Sequence, residues 1–412
     1  MKYGLIGEKL GHSFSPDIHK RLETSDYVLK EIPREKLNEF LEEREFEAIN
    51  VTIPYKKDVI PHLHYISETA REIGAVNVIV NKNGLLYGYN TDFMGLKALV
   101  ERTAGSICGK KVLILGTGGT SQTAFAVAKT LGAQRIHRVG RAPKEGCVTY
   151  SYAYKELSDS EIIINTTPVG MFPECDNTPI DIDAFPNLCA VVDAVFNPLS
   201  TELVLSARKK GIPAEGGLYM LVYQAVAASE LFASVKYDET VIESIYNELK
   251  SSKQNIVLTG MPGCGKSTVG KLIADKLNRE FYDIDKEIVK EAGTEITEIF
   301  AAKGETAFRD METAVTKRLS ALSGVVISCG GGTVLRDENV NALRRNGIIY
   351  FIDRPLDQLV PTEDRPLASS REAVEKRYNE RINTYISTCH KRIAVNGDAV
   401  SVAENIGKDF LN

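Results

Sequence analysis

The stretch Gly260-Met261-Pro262-Gly263-Cys264-Gly265-Lys266-Ser267 constrains this chain more than any other. It fits G-x-x-x-x-G-K-[ST], a loop whose backbone amides cradle phosphates while the lysine reaches the outer ones and the hydroxyl meets Mg²⁺. Such a loop needs a strand before it and a helix after it. Ile256-Val257-Leu258-Thr259 leads in, and Val269, Leu272, Ile273 and Leu277 mark one face of a helix that follows. Gly260, Gly263, Gly265, Lys266, Ser267 and Thr268 are therefore the expected nucleotide contacts. A loop of this kind usually opens its domain on the first strand. Here residues 1–259 come first, so they require a core and a purpose of their own.

The 412 residues suit two or three domains of ~150 residues. Apolar content of 43% and charged content of 25% are ordinary for a globular chain. A net charge of −5 gives no reason to expect a nucleic-acid or membrane partner. No apolar run approaches the ~18 residues of a membrane span. The apolar start, residues 3–7, is too short for a signal peptide. Cys108, Cys147, Cys175, Cys189, Cys264, Cys329 and Cys389 are scattered, with no C-x-x-C spacing. A reducing, cytoplasmic setting is expected.

Residues 3–7, 27–32 and 48–54 read as strands, with helices from Pro16 to about Leu22 and from Pro33 to Glu43. This alternation predicts a parallel α/β sheet. Asn83-Gly84, between residues 76–80 and 85–89, predicts a hairpin. Three polar stretches stand at strand ends: Ser13 with Ser15, Asn50 to Lys57, and Asn90-Thr91-Asp92. Each has a plain structural reading as well. Ser15 and Asn90 can cap helices, and the lysine turn can simply be solvated. Together they offer hydroxyls, amides, an ammonium and a carboxylate where α/β sheets form small-molecule sites, a mixture suited to a polyhydroxylated acid.

Residues 110–115 form the next predicted strand, leading through Gly116-Thr117-Gly118-Gly119-Thr120-Ser121 into a helix. The match to G-x-G-x-x-G is partial, but the context suits a dinucleotide pyrophosphate. The following strand ends at Gly140-Arg141-Ala142-Pro143-Lys144. Arg141 and Lys144 either pair with a ribose 2′-phosphate, indicating NADP, or form an exposed basic turn. Gln224, on an apolar helix over 218–232, either bonds backbone or faces a ligand. Lys250-Ser251-Ser252-Lys253-Gln254 reads as a linker. Past the phosphate loop, residues 279–285 read as a strand whose Asp283 and Asp285 face the same way (i, i+2). Such a pair can hold Mg²⁺ and accept a proton, or can open a charged loop. A helix over 297–322 carries Phe308-Arg309-Asp310-Met311-Glu312. Gly330-Gly331-Gly332 ends a buried strand, and Asp364-Arg365-Pro366-Leu367 precedes a helix with Arg377, Arg381 and Tyr385.

The segments GHSFSPDIH (11–19), NVTIPYK (50–56), AVNV (75–78), NTDFMG (90–95), GTGGTS (116–121), NTTPVGM (165–171), DAVFNP (193–198) and GGLYMLVYQA (216–225) run in the order of shikimate dehydrogenase, which residues 1 to about 245 resemble throughout. The resemblance implies reduction of 3-dehydroshikimate to shikimate by NADPH. It implies substrate ligands at Ser13, Ser15, Thr52, Asn77 and Gln224, and a catalytic pair at Lys56 and Asp92. The cofactor would lie along Gly116, Gly118, Gly119, Thr120 and Ser121. Only residues 142–161 join the second and third strands of the nucleotide domain, so a shortened crossover is expected.

Residues 255 to about 410 resemble shikimate kinase, through the glycine loop, FYDID, FRDME, SCGGG, DRPL and RINTY. That resemblance implies ATP and Mg²⁺, with Ser267 and Asp283 at the metal. Asp285 would approach the substrate hydroxyl, and Lys266 would serve the transferring phosphate. Arg309, Arg381 and the backbone of Gly330, Gly331 and Gly332 would hold the substrate. Arg365 would sit in a lid, here several residues shorter than usual.

The expected fold is α/β throughout. A substrate-binding domain (1–100 with 217–249) and a Rossmann-type NADP domain (101–216) precede a linker (250–254) and a P-loop kinase domain with a parallel sheet (255–412). The expected function is two consecutive steps of aromatic amino acid biosynthesis, with 3-dehydroshikimate and shikimate as small-molecule partners and oligomeric state open. One alternative is a metabolite sensor without turnover, against which stand the retained Lys56, Asp92, Lys266, Ser267, Asp283 and Asp285. Another is a quinate-active first enzyme.

Overall fold

Among the described residues the strands gather into three sheets, and the chain divides into two units, Met1–Glu248 and Leu249–Asn412. The structure is a computed structural model that describes residues 1–11, 14–24, 26–143, 145–359, 371–395 and 397–411. No helix among them is long and apolar enough to cross a membrane.

The first sheet orders its strands Tyr27–Glu31, Tyr3–Gly7, Ala48–Val51, Val78–Lys82, Leu85–Tyr89 and Tyr65–Ile66. It is mixed rather than parallel, because Val78–Lys82 runs antiparallel to both neighbours. The cause is local. Lys82 pairs with Leu85 across Asn83 (φ 54°) and Gly84 (φ 83°), the left-handed pair that a two-residue hairpin turn demands. The reversal sets Asn77, just before its strand, beside the end of Ala48–Val51, where Val51 N donates to Asn77 O at 2.8 Å.

The second sheet is parallel, in the order Ala214–Glu215, Ala190–Asp193, Ile162–Asn165, Lys111–Leu115, Arg135–Gly140 and Cys147–Thr149. Renumbered along the chain this is the 3-2-1-4-5-6 order of dinucleotide-binding sheets. Ile162–Asn165 and Ala190–Asp193 are buried at every residue, as strands covered on both faces must be. Among its described residues, the crossover over residues 142–161 holds Cys147–Thr149 and the short helix Tyr150–Glu156. Helices Thr91–Ala104 and Leu218–Ala233 cross closely at Gly95, where a Cβ would come within 2.5 Å of Met220 O and 3.0 Å of Gln224 Cβ. The contact fixes where Gln224 sits.

Asp193 ends one of these strands in full burial. Its carboxylate accepts from Asn165 Nδ2 (2.9 Å), Val195 N (2.9 Å) and Thr201 Oγ1 (2.7 Å). Burial outweighs these bonds and lifts the carboxyl to about 6. A carboxyl raised on folding contributes stability that is complete below its unfolded value near 4 and is lost as pH rises through about 6. The loss is on the order of 3 kcal/mol by neutral pH. Asp193→Asn cannot ionise, so its stability relative to wild type is expected to rise between about pH 4 and 7. Denaturant unfolding at a series of pH values reads this directly, and a pH-independent difference would refute it.

Helix Glu239–Lys253 runs through most of the segment expected as a linker at 250–254, which is helical as far as Lys253, and the boundary between the two units falls within that helix. Ile242, Ile245, Tyr246 and Leu249 are buried at the i, i+3, i+4, i+7 spacing of one helix face. Nothing in Lys250-Ser251-Ser252-Lys253 stops that helix, since polarity alone does not break one.

The third sheet is parallel, in the order Phe281–Asp283, Val326–Ser328, Asn255–Thr259, Gly347–Asp353 and Lys391–Ala394. The phosphate loop leaves the wholly buried central strand Asn255–Thr259. Asp283 and Asp285 do not share a strand face. The strand stops at Asp283, whose side chain caps helix Ile284–Ala292 by accepting from Lys286 N, and Asp285 lies in that helix's first turn. An aspartate at a strand end is a strong helix starter, and capping overrides strand continuation here. The helix expected over 297–322 spans Ile296–Ser320 but breaks at Gly304 (φ 78°, ψ 174°).

Candidate functional site

A cavity of about 380 Å³ in the first unit is lined by Ser15, Asn50, Thr52, Lys56, Asn77, Asp92, Thr120 and Gln224, with Lys9 and Phe196. Lys56 Nζ donates to Asp92 Oδ2 at 2.6 Å, with the two side chains 29% and 21% exposed. Asp92 stands in the first turn of helix Thr91–Ala104, where the helix dipole favours a carboxylate. Asn90 caps that helix, accepting from Phe93 N at 3.1 Å. Asn90 thus caps the helix, while Asp92 lines the cavity.

The amides are held by buried partners. Asn77 Oδ1 accepts from Thr91 N (2.7 Å) while its Nδ2 donates to Thr91 Oγ1 (3.1 Å), which fixes the orientation of the amide. Asn50 Oδ1 accepts from Tyr27 OH at 2.8 Å. Tyr27 also bonds Ser15, and burial pushes its phenol far above the ordinary range, so it remains a donor. Beneath it His19 stacks at 3.9 Å and 7°. Burial lowers His19 to about 3, so the ring is neutral, with Nδ1 2.6 Å from Thr24 Oγ1. Ser15 does not cap its helix: the cap position is Phe14, and no side chain caps there. Gln224 does both things open to it, donating to Leu221 O at 3.0 Å and facing the cavity. Ser13 lies outside the described residues.

Gly116 (φ 119°) brings the backbone against Thr166, where a Cβ would stand 2.5 Å from Oγ1. Gly118 precedes helix Gly119–Thr130 without a side-chain cap, so the helix's first amides are open to an anion. Thr120 lines the same cavity as Lys56. Ser121 departs from expectation as a cofactor ligand. It is wholly buried, and its Oγ has no partner among the described residues. It occupies the motif position that packs helix against sheet, so its hydroxyl cannot reach a cofactor. Arg141 is exposed just beyond strand Arg135–Gly140, and Lys144 lies outside the described residues.

The second unit holds a cavity of about 620 Å³, walled by Val289, Ile296, Phe300 and Phe308. Its polar lining comprises Ser267, Asp283, Asp285, Arg309, Glu312, Arg377 and Arg381, the glycines Gly331 and Gly332, and, on the side of helix Ile284–Ala292, Lys286 with Glu295 and Thr297. Gly260, Gly263 and Gly265 have φ of 145°, 79° and 100°, the left-handed backbone such a loop needs. Lys266 is buried and donates to Gly260 O (2.9 Å) and Met261 O (3.0 Å). Ser267 Oγ donates to Asp283 Oδ2 at 2.6 Å, and Thr268 is exposed on the helix that follows. Arg309 donates to the buried Glu312 (2.7 Å) and to Glu305 (3.2 Å). Burial works against its charge, but these carboxylates outweigh it and hold the guanidinium above its ordinary value. A Cβ at Gly330 would stand 2.6 Å from Asp285 Oδ1, and one at Gly332 would stand 2.2 Å from Arg309 Nη1. A side chain at either position would displace those groups from where they now lie. Arg381 donates to Gly331 O at 2.9 Å, and the Tyr385 hydroxyl donates to the same oxygen at 2.5 Å. Arg365 lies outside the described residues.

Sequence reasoning named Glu312 and Arg377 without giving them a role, and it did not single out Tyr27. Glu312 had a legible signal, its i+3 spacing from Arg309 on one helix. Arg377 stands one turn before Arg381. Nothing local marks Tyr27, which depends on strand pairing to reach Asn50.

Comparison with known proteins agrees with this geometry. Residues 5–79 match the family model for the shikimate dehydrogenase substrate binding domain, and residues 262–410 match that for shikimate kinase. The NADP(+) shikimate dehydrogenase of Clostridium beijerinckii is 35% identical over 261 residues, covering 60% of this chain and 96% of the relative. A chorismate mutase/shikimate 5-dehydrogenase fusion protein from Clostridium acetobutylicum superposes with a TM-score of 0.56 at 35% identity, covering 60% of this chain and 96% of that one. The shikimate 5-dehydrogenase of Thermus thermophilus, solved with NADP(H) and shikimate, superposes with a TM-score of 0.53 at 28% identity, covering 60% of this chain and 99% of the other.

Proposed function

The chain belongs to the shikimate dehydrogenase family and carries a shikimate kinase domain behind it; from that premise we propose that it reduces 3-dehydroshikimate to shikimate and then phosphorylates shikimate to shikimate 3-phosphate. The observation that carries the reading is that each cavity is lined by groups whose chemistry suits one of the two reactions. Lys56 with Asp92 lines one, and Ser267, Asp283, Asp285 and the two guanidinium groups of Arg309 and Arg381 line the other.

In the first cavity NADPH supplies hydride. The residues present fit it: Gly116 and the uncapped helix at Gly119 suit the pyrophosphate, and Arg141 is free to meet a 2′-phosphate. Carbonyl reduction leaves negative charge on the substrate oxygen. Lys56 Nζ donates a proton there, and Asp92 holds the ammonium in place through their 2.6 Å bond. Ser15, Thr52, Asn77 and Gln224 orient the acid by its hydroxyls and carboxylate.

In the second cavity ATP supplies the phosphoryl group. Ser267 and Asp283 would hold Mg²⁺ through hard oxygen donors, and the ion would supply charge neutralisation at the phosphates. Lys266 neutralises phosphate charge, and the loop amides position it. Asp285 takes the proton from the attacking hydroxyl. Arg309 and Arg381, with the Gly330–Gly332 turn, hold the carboxylate so that the hydroxyl faces the nucleotide.

The test is one reaction mixture containing dehydroshikimate, NADPH, ATP and Mg²⁺, followed for shikimate 3-phosphate. Product formation at a rate set by the slower site is expected. Oxidation of NADPH without the phosphorylated product, or the converse, would remove one half of the proposal. The same mixture with quinate and an oxidised nicotinamide tests the alternative first substrate.

A further inference from the structure

Three guanidinium groups line the cavity of the second unit, and their charges are not equally available. Arg309 is already compensated by Glu312 and Glu305. Arg381 is buried and donates to a neutral carbonyl, Gly331 O. Arg377 lines the same cavity and has no hydrogen bond or ion pair among the described residues. It stands four residues before Arg381 on helix Arg371–Thr388, so the two project from one face of that helix. Its electrostatic neighbours are Arg381, Glu380, Glu305 and Arg309. None belongs to the phosphate loop, which places Arg377 at the Arg309 end of the cavity. A half-buried guanidinium without a hydrogen-bonded anion is costly beside two others: burial first, then Arg381 and Arg309, hold it below its ordinary value, and the carboxylates of Glu380 and Glu305 offset this only in part.

We propose that Arg377 is a further specificity residue of the kinase site, adding its guanidinium to those of Arg309 and Arg381 at the end of the cavity that takes the substrate's carboxylate. The proposal rests on the phosphorylation of shikimate given above and deepens it. A carboxylate at that end accepts bonds from Arg377 and Arg381 and relieves the repulsion between them. ATP, held at the phosphate loop, gains nothing from Arg377.

The test is steady-state kinetics of the full chain with Arg377→Gln and Arg377→Lys. A charge-assisted bond of ordinary strength predicts that Gln raises KM for shikimate about ten- to hundredfold. kcat and KM for ATP should stay within about threefold. Lys should recover part of the loss, since it restores the charge without the fork. Dehydrogenase activity in the same preparation reports that the variant chain is intact. Equal rises in KM for ATP and shikimate, a fall in kcat alone, or an unchanged KM for shikimate would each overturn the assignment. A wild-type chain that turns over ATP with no shikimate dependence would instead overturn the reading of the site itself.

Discussion

Lys56→Ala is expected to lower reduction of dehydroshikimate by NADPH by about 10²–10⁴-fold, the range of a lost proton donor, while ATP-dependent phosphorylation of added shikimate continues at the wild-type rate. The loss should fall on kcat, because the ammonium acts on charge that develops as the carbonyl is reduced. Removing it also leaves Asp92 partly buried beside the cavity without its 2.6 Å partner. A modest fall in stability of the first unit should accompany the kinetic loss. Lys56→Arg would keep the charge but give up an easily transferred proton, so it should restore stability more than activity. Absorbance of NADPH at fixed dehydroshikimate reads the rate, and thermal unfolding reads the stability. A Lys56→Ala chain that keeps even a tenth of its reductase rate would remove Lys56 from the chemistry.

Lys266→Ala is expected to produce the reverse pattern, with phosphorylation of shikimate down by about 10²–10³-fold, as for loss of one charged stabiliser of the reacting group, and reduction unchanged. Two effects combine. The phosphate loses a cation, and Gly260 O and Met261 O lose the donor that holds the loop. Each buried carbonyl left unmet costs about 1–3 kcal/mol locally. Lys266→Met separates the two. It fills the stem's space, so packing around the loop persists and the remaining deficit belongs to the charge. The decisive comparison is crossed, with both activities assayed in both variants. If either alanine variant silenced both reactions while its chain stayed folded, the chain would not contain two separate catalytic sets.

The glycine loop at 260–267, the turn at 116–121 and the hairpin at Asn83-Gly84 could each be read directly from sequence. Each is a local device in which backbone conformation selects the residue type, so the type betrays the conformation. The errors were local too, and they came from competing local rules. Asp283 and Asp285 read as a strand pair until helix capping by Asp283 took precedence. Lys250 to Gln254 read as a linker from polarity, although the buried face at Ile242, Ile245, Tyr246 and Leu249 carries the helix into it. Ser121 read as a cofactor ligand from its place in a motif, although that place packs against the sheet.

The partnerships within each cavity lay beyond local pattern. Lys56 and Asp92 are 36 residues apart, and they meet because Val78–Lys82 reverses between two neighbours and returns the chain to the same sheet end. Tyr27 reaches Asn50 across the intervening strand Tyr3–Gly7, through a pairing register that no spacing encodes. Arg309 is ion-paired and Arg377 is not, although both are arginines on helices; the difference is which carboxylates the packed helices bring within bonding reach. Residue chemistry and backbone preference are properties of a short segment and survive in the primary structure. Which charges stay unpaired, and so are left for a substrate, is a property of strand order and helix packing, and it exists only once the chain has folded.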